Sequence, residues 1–324
     1  MSDPKEQSPQ EPASWHTYWL GAEDAAAFSA GGTSHPLILG FWADFFAEIS
    51  QDRDSLKIID IASGNGAVVE CAKSAKPGLL TDFTCLDISD AAIRTLEGRF
   101  PGVNGIVADA RSIPLESATV DLVVSQFGLE YAGPEATDEV LRLLVPGGRL
   151  ALLLHHRGGG IYRQCAASRD AIESMLEARF IPRAIDVFEA GFLAYSGGDG
   201  ADYDAKVKEF LPAIRALESI MREHGQHVAD GTIIRLYKDV RTIHGRLQHY
   251  DPAEVLGWLK RLEHEAQAYA DRMASMCAAA LDEAAFRGLC DKLGNRGFRI
   301  ERAAALEIPE RNVPLAWALI ASSA

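Results

Sequence analysis

No apolar run in this chain approaches the roughly 18 residues that a bilayer span needs. The longest candidates, Leu150–Leu154 and Leu315–Ile320, are strand-sized. Cysteine is scarce and scattered. Cys71, Cys85, Cys165, Cys277 and Cys290 form no CxxC pair, which excludes a disulfide framework and a clustered zinc site and points to a reduced, cytoplasmic setting. Positive charge is also in deficit. Thirty-two Lys and Arg face 46 Asp and Glu, a net charge of −14. The imbalance concentrates in residues 1–157, with 11 basic and 22 acidic side chains. An acidic surface repels phosphate backbones, so nucleic acid is a poor default partner. The opening MSDPKEQSPQEP lacks a basic region followed by an apolar one, so a secretory signal is not expected. Residues 1–12 read instead as a disordered tail. What remains is 324 residues, 48 % hydrophobic and 24 % charged, an ordinary globular composition with ample length for a core.

From Lys57 the chain alternates short apolar runs with helical patterns. The runs are 57–62, 82–88, 103–110, 119–127 and 148–156; helices are expected at Ala67–Ala75, Asp90–Arg99 and Glu135–Leu144. Such alternation predicts an α/β fold with a doubly wound, mostly parallel sheet. Pro146-Gly147-Gly148 is expected to stop a helix and turn the chain into the fifth strand. Residues 158–280 hold no convincing strand and read as a large helical insertion, with helices over Tyr203–Glu223, Gly231–Arg246 and Pro252–Cys277. A helix follows at Asp282–Leu293. Then come two strands, Phe298–Ile308 and Pro314–Ala321, with no helix between them, which predicts a C-terminal antiparallel β-hairpin. The expected organisation is a tail (1–12), an N-terminal helical segment covering the site (13–52), an α/β domain (53–157 and 281–324) and the insertion (158–280).

The chemistry concentrates where strands end. Asp60-Ile61-Ala62-Ser63-Gly64-Asn65-Gly66 closes the first strand and opens a helix. Its small residues let backbone turn tightly and approach a ligand. Asp87 ends the second strand, where a carboxylate can accept from both hydroxyls of a ribose, and Asp109 ends the third. As a nicotinamide fingerprint the turn is imperfect, because its G-x-G-x-x-G positions are Ala62, Gly64 and Ala67.

Taken together, the acid before a small-x-Gly-x-Gly turn, Asp87, Asp109, VDLVVSQFGLEY, LVPGGRLALLL and the terminal hairpin resemble the class I S-adenosylmethionine-dependent methyltransferases. The likeness is to their small-molecule, quinone-methyltransferase-like branch. It covers roughly 55–157 and 281–324 and departs at Ala62, where that family usually has Gly. It implies a Rossmann-like fold and S-adenosylmethionine as cofactor. It also implies roles. Asp60 would orient the methionine amino group; Ala62, Gly64, Asn65 and Gly66 would line the methionine and ribose with backbone. Asp87 would hold the ribose hydroxyls and Ile88 would pack on adenine. Asp109 would accept from the adenine amino group, with the Ala110 N–H on a ring nitrogen. Gln126 and Phe127 would sit beside the methyl group.

Transfer from a sulfonium is an in-line displacement that needs alignment above all, and a base only where the nucleophile must lose a proton. His155 and His156 end the fifth strand, and because adjacent strand residues point to opposite faces, at most one faces the acceptor. His155, Glu130 and Tyr131 are the candidate catalytic residues. His156, Trp15, Tyr18 and Trp19 are candidates for the acceptor pocket. The alternative for each is structural: a strand-end histidine bonded to backbone, a capped loop, an aromatic packing stripe. The insertion is either a lid that binds the acceptor or a homodimer interface. The expected activity is methylation of a small-molecule acceptor on O, N or C, with no nucleic-acid partner, membrane span or metal. The alternatives are an RNA or protein methyltransferase and a non-catalytic donor-binding protein.

Overall fold

The computed structural model describes residues 35–51, 55–75, 80–309 and 312–323. Helix α1 (Pro36–Ile49) begins with Pro in its first turn, and the His35 ring caps it by accepting from the Leu37 N–H at 3.2 Å. Its buried Ile38, Phe41, Trp42, Phe45, Phe46 and Ile49 recur at helical spacing, so this aromatic run is core. The alternation then runs β1 (Ser55–Ile61), α2 (Ala67–Ala75), β2 (Leu80–Asp87), α3 (Asp90–Arg99), β3 (Asn104–Val107), β4 (Val120–Gln126), α4 (Gly133–Leu143) and β5 (Leu144–His155).

Helices α5 (Gly160–Glu177), α6 (Phe180–Tyr195), α7 (Gly200–His224), α8 (Thr232–His244) and α9 (Pro252–Ala279) follow, then α10 (Glu283–Asn295), β6 (Arg299–Ile308) and β7 (Val313–Ser322). The described residues divide into two compact units, one falling within 1–163 and 275–324, the other being 164–274. The helical unit has its own core, in which Phe180 and Phe210 meet at 4.9 Å beside Phe188, Leu217, Ile233 and Leu259.

In the α/β unit one sheet has the order β3-β2-β1-β4-β5-β7-β6. The first five strands are parallel. β7 lies antiparallel between β5 and β6, so the expected hairpin is present and its second strand is the one that joins the sheet. The strand order reverses between β1 and β4, the place where open α/β sheets leave a crevice beyond their carboxyl ends. Two faces are distinct. Leu150, Leu152 and Leu154 of β5 pack with Ala136, Val140 and Leu143 of α4 and with Phe286 and Leu293 of α10. Helix α1 covers part of the other face, where Arg149 stacks on Phe45 and Trp42 reaches Gln126.

Pro146-Gly147-Gly148 acts differently from expectation. Helix α4 already ends at Leu143, and Leu144 pairs with Val120. The Pro-Gly-Gly bend lies within β5, with Gly147 at φ 74, and the ladder resumes where Arg149 pairs with Leu122. Pro cannot donate to a ladder and Gly takes the left-handed region freely, so the motif makes an irregularity inside the strand.

Candidate active site

β1 ends in a run of left-handed backbone. Ala62, Gly64 and Gly66 have φ 54, 53 and 89. Gly66 has no alternative, since a Cβ there would lie 2.6 Å from the Phe100 ring. The loop is pinned from β2: Ser63 N–H donates to Leu86 O at 3.0 Å, and Gly64 N–H donates to Asp87 Oδ2 at 2.9 Å. Asp87 Oδ1 accepts from Ser89 N–H at 2.9 Å, and the Ser89 hydroxyl caps α3. One buried carboxylate thereby fixes both crevice loops. Burial pushes its pKa up, and the backbone N–H groups of Ser89, Gly64 and Ile88 oppose that rise. The next side chain, Ile88, is 45 % exposed, an apolar surface beside a fixed carboxylate.

Asp60 is different. Its side chain is buried, and neither carboxylate oxygen has a hydrogen-bond partner. Burial first, and then the charge of Asp87, hold its carboxyl well above the usual carboxylate range. An orphaned buried carboxylate is costly, and such groups concentrate where a ligand supplies the missing donors.

The end of β4 is tied to the same loop. The Ser125 hydroxyl donates to Ile61 O at 2.8 Å and accepts from Leu129 N–H at 3.1 Å. Gly128 lies against Ala62: a Cβ on it would sit 2.4 Å from the Ala62 Cβ. Phe127 (φ 55) places its ring 4.5 Å from His155, and the Tyr131 ring meets His155 edge-on at 5.8 Å. Glu130 Oε1 lies 2.8 Å from both the backbone N and Nδ1 of His155. Both side chains of this pair are buried, His155 completely and Glu130 to 1 % exposure.

The expected residues therefore separate. Asp60, Ala62, Gly64, Asn65, Gly66, Asp87 and Ile88 share one crevice edge. His155, Glu130, Tyr131 and Phe127 form a second cluster at the ends of β4 and β5. Three others have partners of their own. Asp109 is held by Arg111 in a two-pronged ion pair, 2.6 Å at its shortest, which lowers its pKa; Ala110 beside it is buried. Gln126 Oε1 accepts from the Trp42 indole at 2.6 Å. His156 stacks on Trp317 at 4.2 Å, Nδ1 meets Arg157 O, and burial lowers its basicity. Its neighbour Trp317 stacks in turn on Phe286 at 4.3 Å, so His156 stands in an aromatic column and not in the His155 cluster. Trp15, Tyr18 and Trp19 lie outside the described residues. Sequence reasoning missed Trp42, Arg111 and Gly128. Only Arg111 gave a local signal, a cation two residues from Asp109.

Residues 59–152 match the methyltransferase-domain family model named Methyltransf_11. The matched span runs from the end of β1 through β5 and so contains the crevice loops just described. Over 274 residues, 74 % of this chain and 100 % of the relative, the sequence is 23 % identical to the ubiquinone/menaquinone biosynthesis C-methyltransferase UbiE of Ectopseudomonas mendocina (strain ymp).

The chain carries a methyltransferase domain of the class I S-adenosylmethionine-dependent kind over residues 59–152.

Another relative, the UbiE C-methyltransferase of Pseudomonas putida (strain GB-1), is 33 % identical over 121 residues, 35 % of this chain and 46 % of its own. A solved S-adenosylmethionine-dependent methyltransferase from Mesorhizobium loti superposes with TM-score 0.31 at 21 % identity, over 35 % of this chain and 53 % of that one. The cofactor of this methyltransferase is S-adenosylmethionine, and the crevice residues fit it. The unpaired Asp60 carboxylate suits a cationic or hydrated amino group, Asp87 retains acceptor capacity for hydroxyls, and exposed Ile88 offers an apolar platform. Among the described residues no helix is long and apolar enough to cross a membrane.

Proposed function

We propose that this methyltransferase methylates a small, ring-bearing acceptor of the quinol or hydroxyaromatic kind. The observation that carries the donor half of this reading is the buried Asp60 carboxylate, left without a hydrogen-bond partner beside the Asp87-pinned loop. The acceptor half is supported by the relatives' names and by the acidic composition, which disfavours phosphate-rich partners.

S-adenosylmethionine, when bound, supplies an electrophilic methyl group on a sulfonium. The protein's part is alignment. Asp60 would hold the amino end, directly or through water. Asp87 would take the ribose hydroxyls while its backbone bonds keep the loop in place. Ile88 would cover the adenine. Asp109 contributes only by sharing its carboxylate with Arg111. Phe127 and Tyr131 would face the acceptor, held in place by the buried Glu130–His155 pair. His155 is thereby a positioning residue: its side chain has no exposed surface from which to take an acceptor's proton. The helical unit leaves the α/β unit after β5 and rejoins it before α10.

The test is an incubation of the full chain with isotopically labelled S-adenosylmethionine and a panel of quinols, catechols, small amines, tRNA and unfolded protein, with products read by mass spectrometry. Label in a quinol or catechol is expected. Label confined to tRNA or protein overturns the acceptor class. Tight donor binding with no labelled product from any arm overturns the enzymatic reading.

A further inference from the structure

Trp42 lies outside the span that matches the methyltransferase domain, yet it reaches into that span. Its side chain is completely buried in α1, and its indole N–H donates to Gln126 Oε1 at 2.6 Å. An indole is a donor only, so the amide must turn its oxygen to Trp42 and its nitrogen away. Gln126 is half-buried, and its Nε2 is neither hydrogen-bonded among the described residues nor sealed from solvent. One end of this amide is anchored and the other is an open N–H2 donor.

The sheet decides where that donor stands. Asp60 of β1 and Val124 of β4 are register partners, so their side chains share a face. Gln126, two residues further along β4, shares it too and stands one step nearer the crevice. The neighbouring loop has already spent three of its donors. Ser63 N–H goes to Leu86 O, Gly64 N–H to Asp87 and Gly66 N–H to Ser63 O. The amino-acid end of S-adenosylmethionine carries an ammonium and a carboxylate. Asp60 suits the first and repels the second. The carboxylate needs donors, and hydrogen bonds to an ionised acceptor are the strong ones.

We propose that Gln126 Nε2 donates to the carboxylate of bound S-adenosylmethionine, and that Trp42 is the positioning residue that holds the amide in that orientation. This rests on the reading that Asp60 takes the amino end. Helix α1 thereby takes part in recognising the cofactor from outside the matched span.

The test is calorimetry of the full chain with S-adenosylmethionine and with decarboxylated S-adenosylmethionine, which keeps the amino group and the sulfonium. Gln126→Glu retains an oxygen for the indole and replaces the outward N–H2 with a carboxylate oxygen. It is expected to stay folded and to bind S-adenosylmethionine at least about tenfold more weakly. The decarboxylated ligand should bind it no more weakly than the wild type. Trp42→Phe removes the indole donor and lets the amide rotate. It is expected to weaken S-adenosylmethionine severalfold and to leave the decarboxylated ligand unchanged. If Trp42→Phe fails to fold, benzothienylalanine at position 42 keeps the ring volume without the N–H. Equal loss of both ligands in either variant, which altered packing alone would cause, would overturn the proposal. So would unchanged S-adenosylmethionine affinity in either variant. Failure of the Asp60 reading would appear separately, as Asp60→Asn binding both ligands like the wild type.

Discussion

A single oxygen of Glu130 serves both the backbone N and the ring Nδ1 of His155, each at 2.8 Å, with the two side chains out of water. This relation converts a loop after β4 and the end of β5 into one rigid piece under the rings of Phe127 and Tyr131. Removing the carboxylate leaves a buried N–H without an acceptor. Glu130→Ala should therefore lose about 1–3 kcal/mol of stability by urea unfolding. Glu130→Gln, which keeps an acceptor oxygen, should lose less. With an acceptor in hand, Glu130→Gln and His155→Gln should lower kcat while leaving KM for S-adenosylmethionine nearly unchanged. They should also leave the shape of the pH–rate profile intact. Loss of a limb of that profile in His155→Gln would instead make His155 a base.

Ala62 and Gly128 form a matched pair. Ala62 is held at φ 54, where a Cβ costs about 1–2 kcal/mol relative to Gly. The room for that Cβ exists because residue 128 has none. Gly128→Ala is expected to cost about 1–3 kcal/mol and to weaken donor binding by displacing the loop. Ala62→Gly alone should be nearly neutral, since relief of strain offsets added unfolded-chain freedom. The double variant should recover much of the loss, a coupling that a thermal-unfolding cycle measures. Strict additivity would contradict the contact.

Asp60 makes stability depend on pH in a stated direction. Its folded pKa is raised, so the folded state binds the proton more tightly than the unfolded chain does. The contribution is fully present below the unfolded value, about pH 3.9. It is lost as pH rises through the folded value. Asp60→Asn should accordingly be more stable than the wild type at pH 8, with the advantage shrinking on acidification. The same variant should bind S-adenosylmethionine more weakly. Stability gained while donor affinity falls is the signature of a buried charge kept for a ligand.

The Asp109–Arg111 pair is partly exposed, with side chains 33 % and 49 % accessible. Such pairs contribute about 0–1 kcal/mol. Arg111→Ala should leave unfolding nearly unchanged. It should tighten donor binding slightly if Asp109 accepts from the adenine, because the carboxylate no longer shares its oxygens. No change in affinity would assign Asp109 a local turn role alone.

What could be read from residue order alone follows local rules. Asp60, Asp87 and the glycine turn stand at fixed spacings from apolar runs, and strand ends place them at the crevice by topology. The α4 boundary was less legible because Pro146-Gly147 breaks a strand as readily as it ends a helix. Partners set by three-dimensional packing left no trace in spacing: Trp42 reaches Gln126 across 84 positions, and the Gly128–Ala62 contact needs two loops to meet. His155 and His156 looked equivalent as neighbours, yet the sheet's two faces send one to Glu130 and the other to Trp317.

The central claim is that Asp87 and the β1 loop form an S-adenosylmethionine crevice. Isothermal calorimetry of S-adenosylmethionine and S-adenosylhomocysteine with the wild type and Asp87→Ala, with NADH as control, tests it directly. The account predicts that both sulfur ligands bind the wild type, that NADH does not, and that Asp87→Ala weakens binding at least about tenfold while the protein stays folded. That loss corresponds to roughly 1.4 kcal/mol. Undiminished binding to folded Asp87→Ala, or preference for NADH, would contradict it.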